Sequence, residues 1–595
     1  SVSAFDEVIV EIEDESRKLP PDLLKIGQAA ERIYEQLATA SPVLDPTQAT
    51  TLVTALRRAC CFQWLAKIAD RLISAGDEQS IVQRYYAQAM IDTGHIHAGI
   101  QLLETLKRRQ LQQTDLEEVL GQLGRAYKQI YIHHSKSSVS SELARQRSAT
   151  HLRDAIRHYE AAYDPQRLTV TSWHGVNLAA LLKRAAADGI RVDSISDPSN
   201  IARQIITGLE KDLSTSADPW LPATIAEAHL SLGQHEQAFG LFHRYANQKS
   251  INTFALAGTI RQLEEVWRPE TVGDGGQRAL VALKAALAGK RNAEFGLTDN
   301  ERQLIRSRNF ETTYVDGEFI KYSLLIKIVR AGECIAWIKD RHLNGIGTGF
   351  LIRGSQLAAS LGSEIYLLTN THVICDPARS NGERPHGSLK PEEARIYFEA
   401  SDEKALTPFA VLPAAVWQSP SSEYDACLLR LDASPEKLER LRPANIAPPD
   451  HPIDFGKDEN LIDGTPVAVL GHAGGRELQL GVKGTLLNHQ GSLIDMGPRD
   501  LKGERPVYLH YNAPTLGGNS GSPVFDTTTW EVIGLHHAGF DETNGRPQLR
   551  GRGGFNFANE GIRIHSIGDA IEAERTGQKR GLFSRVLGRG RPNYG

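Results

Sequence analysis

Hydrophobic residues change their rhythm about midway along the chain. From residue 20 to about 265 apolar positions recur at spacings of three and four with few strand signals, which predicts one helix after another. From Pro269 to about Asn309 the rhythm breaks. Val272-Gly273-Asp274-Gly275-Gly276 interrupts it, a short Ala- and Leu-rich helix follows, and Thr298-Asp299-Asn300 reads as the cap of another. Beyond residue 310 apolar and polar residues alternate between frequent Gly turns, the mark of antiparallel β structure, and this continues to about 570. The expected order is an N-terminal helical segment (1–44), a helical repeat domain (45–268), a connector (269–309), a β domain (310–574) and a basic tail (575–595). The tail holds Arg575, Lys579, Arg580, Arg585, Arg589 and Arg591 with no acidic residue after Glu574, which reads as a solvated tail rather than an anionic docking site.

Repetition is visible in the helical half. In Tyr85-Tyr86-Ala87-Gln88-Ala89 a helix runs to Gly94, and a second begins near Ala98 and carries Ile100, Leu102 and Leu103. The layout returns in Ala226-Glu227-Ala228, Gly233, Ala238, Phe239 and Phe242. A small residue, a Gly, a second small residue and a large apolar residue at these spacings form the tetratricopeptide pattern, and the whole reads as a helical solenoid. Small residues let paired helices approach, and the Gly permits the turn between them. Between these repeats lie Gly124-Arg125-Ala126-Tyr127-Lys128, Ala155-Ile156-Arg157-His158-Tyr159 and Trp173-His174-Gly175-Val176-Asn177-Leu178-Ala179. That order resembles the tetratricopeptide-type domain called the TRAFs-binding domain. The resemblance implies a regulatory role, with a protein partner bound on the repeats.

At 595 residues the chain is too long for one hydrophobic core. Its 41% hydrophobic and 23% charged residues are those of ordinary globular protein, and a net charge of −5 gives no global reason to expect nucleic acid or an anionic membrane as partner. No stretch reaches the apolar length of a membrane span. The opening Ser1-Val2-Ser3-Ala4-Phe5-Asp6-Glu7 turns acidic at once, unlike a secretory signal. Cys60, Cys61, Cys334, Cys375 and Cys427 are too few and too scattered for a disulfide scaffold. A reducing compartment, the cytoplasm, is the expectation.

Three segments of the β half carry chemistry. Gly517-Gly518-Asn519-Ser520-Gly521-Ser522-Pro523 offers a hydroxyl between glycines that let the backbone turn. A hydroxyl is a poor nucleophile and needs both a base and donors for the oxyanion its attack creates; the amides of Gly518 and Ser520 can converge on one spot. The base is expected upstream. Thr369-Asn370-Thr371-His372-Val373 follows the apolar strand Ile365-Tyr366-Leu367-Leu368 and opens a turn, which exposes an imidazole; Gly347-Thr348-Gly349-Phe350-Leu351-Ile352 is expected to pair with that strand. Asp425, in Tyr424-Asp425-Ala426-Cys427-Leu428-Leu429-Arg430-Leu431, stands at the entry to another apolar strand, where its carboxylate can fix the tautomer of His372.

The order His372, Asp425, Ser520 resembles chymotrypsin-like serine peptidases and differs from that of subtilisins or α/β-hydrolases. The resemblance covers about residues 320 to 570. It implies two six-stranded barrels with the triad between them and an activity of the EC 3.4.21 type. Val467-Ala468-Val469-Leu470-Gly471-His472 looks like the strand opening the second barrel, Ile533-Gly534-Leu535-His536-His537-Ala538-Gly539 like the substrate-lining strand, and Asn559-Glu560-Gly561-Ile562-Arg563-Ile564 like the last strand. Asn519 stands where zymogens carry the Asp that pairs with a freed N-terminus, so activation by trimming is not expected. Val373 stands where secreted relatives carry a Cys.

Glutamyl endopeptidases, which this sequence also resembles, hold an acidic P1 side chain with a Thr and a His at the places of Thr515 and His536. The resemblance therefore implies substrate binding by these two, through a hydroxyl and an imidazolium. The run Gly345-Ile346-Gly347-Thr348-Gly349 lacks the following helix of a dinucleotide site, and His133-His134 and His536-His537 lack further ligands at metal spacing. No cofactor or metal is expected. The reading is an intracellular serine endopeptidase acting on specific protein substrates and controlled by its repeats, in a setting that resembles bacterial conflict and antiviral defence. Two alternatives stand beside it: an inactive protease-fold scaffold and a constitutive housekeeping protease.

Overall fold

The computed structural model describes residues 4–577 apart from 19–20, 40–43, 137–141, 291–292, 307–321, 381, 383, 402–407, 455–463, 488–506, 516 and 540–558. The basic tail from 578 onward thus lies outside the described residues. Among those described, the chain divides into two compact units, one ending at Ala286 and the other beginning at Leu287.

The first unit is built of antiparallel helix pairs. Ser80–Asp92 and Ile96–Lys107 form one pair, Leu221–Ser231 and His235–Asn247 another. Both pairs turn in the same way. Gly94 (φ +95°) and Gly233 (φ +74°) take the left-handed conformation, and the next amide reaches back to close the helix end: His95 to the Met90 carbonyl at 2.7 Å, Gln234 to that of His229 at 2.9 Å. Ala87, Leu103, Leu106, Leu123 and Ala126 then share one buried cluster, so the first pair packs on the helix that follows it, as in a solenoid. The longer helices Gln113–Lys136, Glu142–Ala162 and Leu168–Ala187 lie between the two pairs in sequence.

The second unit holds fourteen strands among the described residues. The first eight are β1 (Ala293–Gly296), β2 (Ile335–Lys339), β3 (Gly345–Arg353), β4 (Ile365–Thr369), β5 (Arg395–Tyr397), β6 (Phe409–Ala410), β7 (Trp417–Gln418) and β8 (Cys427–Leu429). The remaining six are β9 (Pro466–Gly471), β10 (Gln479–Thr485), β11 (Tyr508–Tyr511), β12 (Pro523–Asp526), β13 (Glu531–Ala538) and β14 (Asn559–Arg563). They form two antiparallel sheets of seven, ordered β6-β5-β2-β3-β4-β8-β7 and β1-β10-β9-β12-β13-β14-β11.

Each sheet curls into a ring of six. In the first, β6 and β7 are halves of one bent strand along β8, joined by the Val411–Leu431 bridge and the Val416 amide on the Leu428 carbonyl at 2.8 Å. In the second, the Leu486–Tyr511 bridge and the Leu487 amide on the His510 carbonyl at 2.8 Å close β10 onto β11. Strand β1 is additional to that ring. It comes from the stretch read as connector, pairs with β10 from Ala293–Val482 to Gly296–Gln479, and buries Phe295. The helix Gly273–Ala288 precedes it in that stretch. The last helix, Ile564–Arg575, buries Ile564, Ile567 and Ile571, and its Glu574 accepts from the Trp417 indole at 3.0 Å.

Candidate active site

The turn holding Ser520 is clamped by one residue of β3. The Thr348 amide donates to the Ser520 carbonyl at 2.9 Å, and its hydroxyl to the Gly518 carbonyl at 2.8 Å. Its own carbonyl accepts from the Thr369 hydroxyl at 2.7 Å. From the other side the Gly521 amide donates to the His536 carbonyl at 2.9 Å, and the His536 amide to that of Ser522 at 2.8 Å. The turn demands glycine twice. Gly518 (φ +94°) and Gly521 (φ +88°) are left-handed, and a Cβ on Gly521 would lie 2.0 Å from the Thr348 carbonyl oxygen. The amides of Gly518 and Ser520 donate to nothing among the described residues. Ser520 itself is half-buried, and its hydroxyl makes no hydrogen bond among them.

His372 and Asp425 meet at the ends of neighbouring strands, because β4 pairs with β8 through Thr369–Cys427. The Asp425 carboxylate takes both donors of His372: Nδ1–H at 2.6 Å on Oδ2 and the amide at 3.1 Å on Oδ1. Asp425 is 1% exposed and adopts φ +46°, a conformation few side-chain-bearing residues take but one that Asp tolerates. Its carbonyl is held by the Asn370 amide group at 2.8 Å, so the strain is secured by the segment that carries His372. Burial pushes the Asp425 carboxyl up, yet the hydrogen bonds from His372 and from His537 outweigh it and leave the group below the usual carboxylate range. Gly347 on β3 lies between the segments that carry His372 and Ser520: a Cβ there would lie 2.7 Å from the Val373 side chain and 3.2 Å from the Ser520 carbonyl.

Residues 347–535 match the trypsin-like peptidase domain family, and residues 61–182 match the Tetratricopeptide Repeats-Sensor family. The chain joins a trypsin-like peptidase domain to a tetratricopeptide sensor domain. The sensor family stands where the sequence resembles a TRAFs-binding domain. Among solved structures, the crystal structure of Rv3671c from M. tuberculosis H37Rv, an inactive serine-to-alanine mutant form, is similar. It covers 43% of this chain and 92% of its own, at 17% identity and a TM-score of 0.25. No curated protein matches the chain by sequence. No helix among the described residues is long and apolar enough to cross a membrane.

Within the peptidase domain, Thr515 and His536 have partners of their own. Thr515 donates its hydroxyl to Asn559 Oδ1 at 2.6 Å. His536, 2% exposed, faces the Tyr511 hydroxyl at 2.6 Å through Nδ1. Burial pushes its pKa down to about 3, aided by His537 and His372, so its ring is neutral rather than the imidazolium expected from the sequence. Where Tyr511 donates to Nδ1, the tautomer has Nε2–H as a donor; the reverse direction makes Nε2 an acceptor.

Sequence reasoning missed His537. Its Nδ1 lies 3.2 Å from Asp425 Oδ2 and its Nε2 lies 2.7 Å from Glu560 Oε1, and Glu560 Oε2 is 2.6 Å from His510 Nε2. The signal was the His536-His537 doublet itself. Alternation along a strand sends neighbours to opposite faces, but a bulge between His536 and Ala538 interrupts the β13–β14 register and turns both rings inward. All five cysteines are free thiols, and burial raises those of Cys334 and Cys427 well above the ordinary value.

Proposed function

We propose that the peptidase domain is a working serine endopeptidase with Ser520 as nucleophile, His372 as base and Asp425 as the carboxylate that fixes it. The observation that carries this is the two-point hold of Asp425 on His372, beside a glycine-bounded turn that presents Ser520 with unpaired amides. Donation of Nδ1–H to Asp425 leaves Nε2 as the free, basic nitrogen. It takes the Ser520 proton as Oγ attacks a peptide carbonyl and returns it to the leaving amine; water then releases the acyl group by the same route. The amides of Gly518 and Ser520 stabilise the tetrahedral oxyanion. On this reading the hydrogen bond between His372 Nε2 and the Ser520 hydroxyl forms when substrate excludes water, as apo sites of this kind allow.

The reading extends to specificity and control. His536 Nε2–H would favour an acidic P1 side chain, joined by Thr515 once its hydroxyl turns from Asn559 to the substrate. The sensor repeats bind a regulatory protein partner and set the activity toward particular protein substrates. The setting proposed is the cytoplasm, in bacterial defence or conflict signalling; nucleic acid and membrane have no part in it. A fluorophosphonate probe tests the core of this. Labelling of the intact chain that disappears in Ser520→Ala supports an enzyme. No labelling with or without candidate partners favours a scaffold with a protease fold.

A further inference from the structure

The buried chain of polar groups behind the triad has more members than hydrolysis needs. His537 is contacted or faced by groups from every element around it: Asp425 from the segment before β8, Glu560 from β14, Tyr508 and His510 from β11, His372 at the end of β4, and His536 on its own strand. Tyr508 stacks on the ring with 5.9 Å between centroids and a 7° interplanar angle. The side chain is 16% exposed, with carboxylates on both nitrogens that are themselves 2% and 15% exposed.

A neutral imidazole has one donor and one acceptor, so between two carboxylates it would turn a lone pair onto one of them. A protonated ring donates to both. That arrangement also answers the burial of Asp425 and Glu560, since buried charges persist when paired and hydrogen-bonded. We propose that His537 is a positioning residue for the triad: as an imidazolium between Asp425 and Glu560 it fixes the Asp425 carboxylate and offsets part of its charge before that charge acts on His372. This rests on the peptidase reading for its effect on rate, but the protonation of His537 stands on the geometry alone.

Two consequences follow. A positive charge on the far side of Asp425 opposes the build-up of a second one across that carboxylate, so losing it should change the pH dependence of serine reactivity. Burial pushes the His537 pKa down, but hydrogen bonds and charge from Asp425 and Glu560 outweigh it and raise it to about 9. A folded value above the unfolded one of about 6.5 contributes stability that is complete below that pH and lost as pH rises through about 9.

The test uses the intact chain and its His537→Gln variant. In the first arm, the rate constant for fluorophosphonate labelling is measured against pH. The acid limb should move up by about half to one pH unit in His537→Gln, the effect of one charge a few ångströms away in a partly wet site. In the second arm, the unfolding temperature is followed from pH 6.5 to 9.5. The wild-type chain should lose stability across that range, and His537→Gln should lose distinctly less. An unmoved acid limb in a folded, labelled variant overturns the proposal. Should the wild-type chain not label at all, the endopeptidase reading fails, and the second arm alone decides: parallel curves for wild type and His537→Gln overturn the charged His537.

Discussion

Asp425 and His372 are each held by more than the bond between them, and that sets what substitution does. Asn at 425 can keep the shape of the carboxylate but presents an NH2 group or a single acceptor to a ring and an amide that both donate. The imidazole then turns its wrong tautomer to the serine. Ser520→Ala and His372→Ala should each abolish peptide cleavage by the purified chain, and Asp425→Asn should lower kcat roughly 10⁴-fold. Substantial activity left in Ser520→Ala would remove Ser520 from the mechanism. A neutral His536 Nε2–H with Thr515 beside Asn559 can meet a carboxylate, and the incoming charge itself favours protonation of the ring. A library varied at P1 should therefore prefer Glu or Asp, and His536→Ala should weaken that preference by about 1.5–3 kcal/mol, the usual worth of a hydrogen bond to a charged group. A preference for Arg or Lys would refute the pocket assignment and leave the triad untouched.

At the scale of elements, what could be read from the chain and what could not differ for physical reasons. His372 and Asp425 each follow or open an apolar run, and the pairing of β4 with β8 brings those run ends together; pattern set both at strand ends, and only the resemblance gave them a role. His537 was hidden because its role depends on a bulge, and a bulge leaves no mark in the spacing of apolar residues. The neutral state of His536 was hidden too, since it follows from burial against Tyr511, which is remote in sequence. Strand β1 escaped for a third reason: four residues joined by a pairing almost two hundred positions away offer no local periodicity to detect. Its packing nevertheless has weight. Ala293 is fully buried and Phe295 is 6% exposed, and the β10 edge would lose its partner without them. Phe295→Ala should destabilise the peptidase unit by about 3 kcal/mol in denaturant unfolding, the range for a buried aromatic truncated in place. A chain beginning at residue 310 should be less stable and more prone to aggregate than one beginning at 287, because the first exposes a bare strand edge. Equal stability of the two would show that β1 adds nothing.

For the whole molecule the question is what restrains the peptidase. Asn519 is buried in the nucleophile turn, with Ser522 Oγ 3.4 Å from its side-chain oxygen, and an amide there cannot form the ion pair by which a freed N-terminus switches on a zymogen. The connector is a poor candidate for a cleavage switch as well. Between 293 and 306 it runs through a paired strand and then a helix whose Arg302 is 4% exposed and lies 3.6 Å from Glu399, whereas proteolysis needs an extended, unpaired segment. On the proposed reading the remaining lever is the sensor repeats, whose stacked helix pairs would suit an extended peptide or a protein surface. A partner there changes activity only as far as it binds the active arrangement more tightly than the resting one, and about 3 kcal/mol of such coupling gives over a hundredfold. Low basal turnover of the intact chain is therefore expected, raised by a binding partner with residues 269–310 uncut. Substitutions that block cleavage in that stretch should leave the activation unchanged when turnover and chain integrity are followed together. Activation that tracks cleavage of the connector, or full activity in the purified chain, would sink this account of control while leaving the triad as it stands.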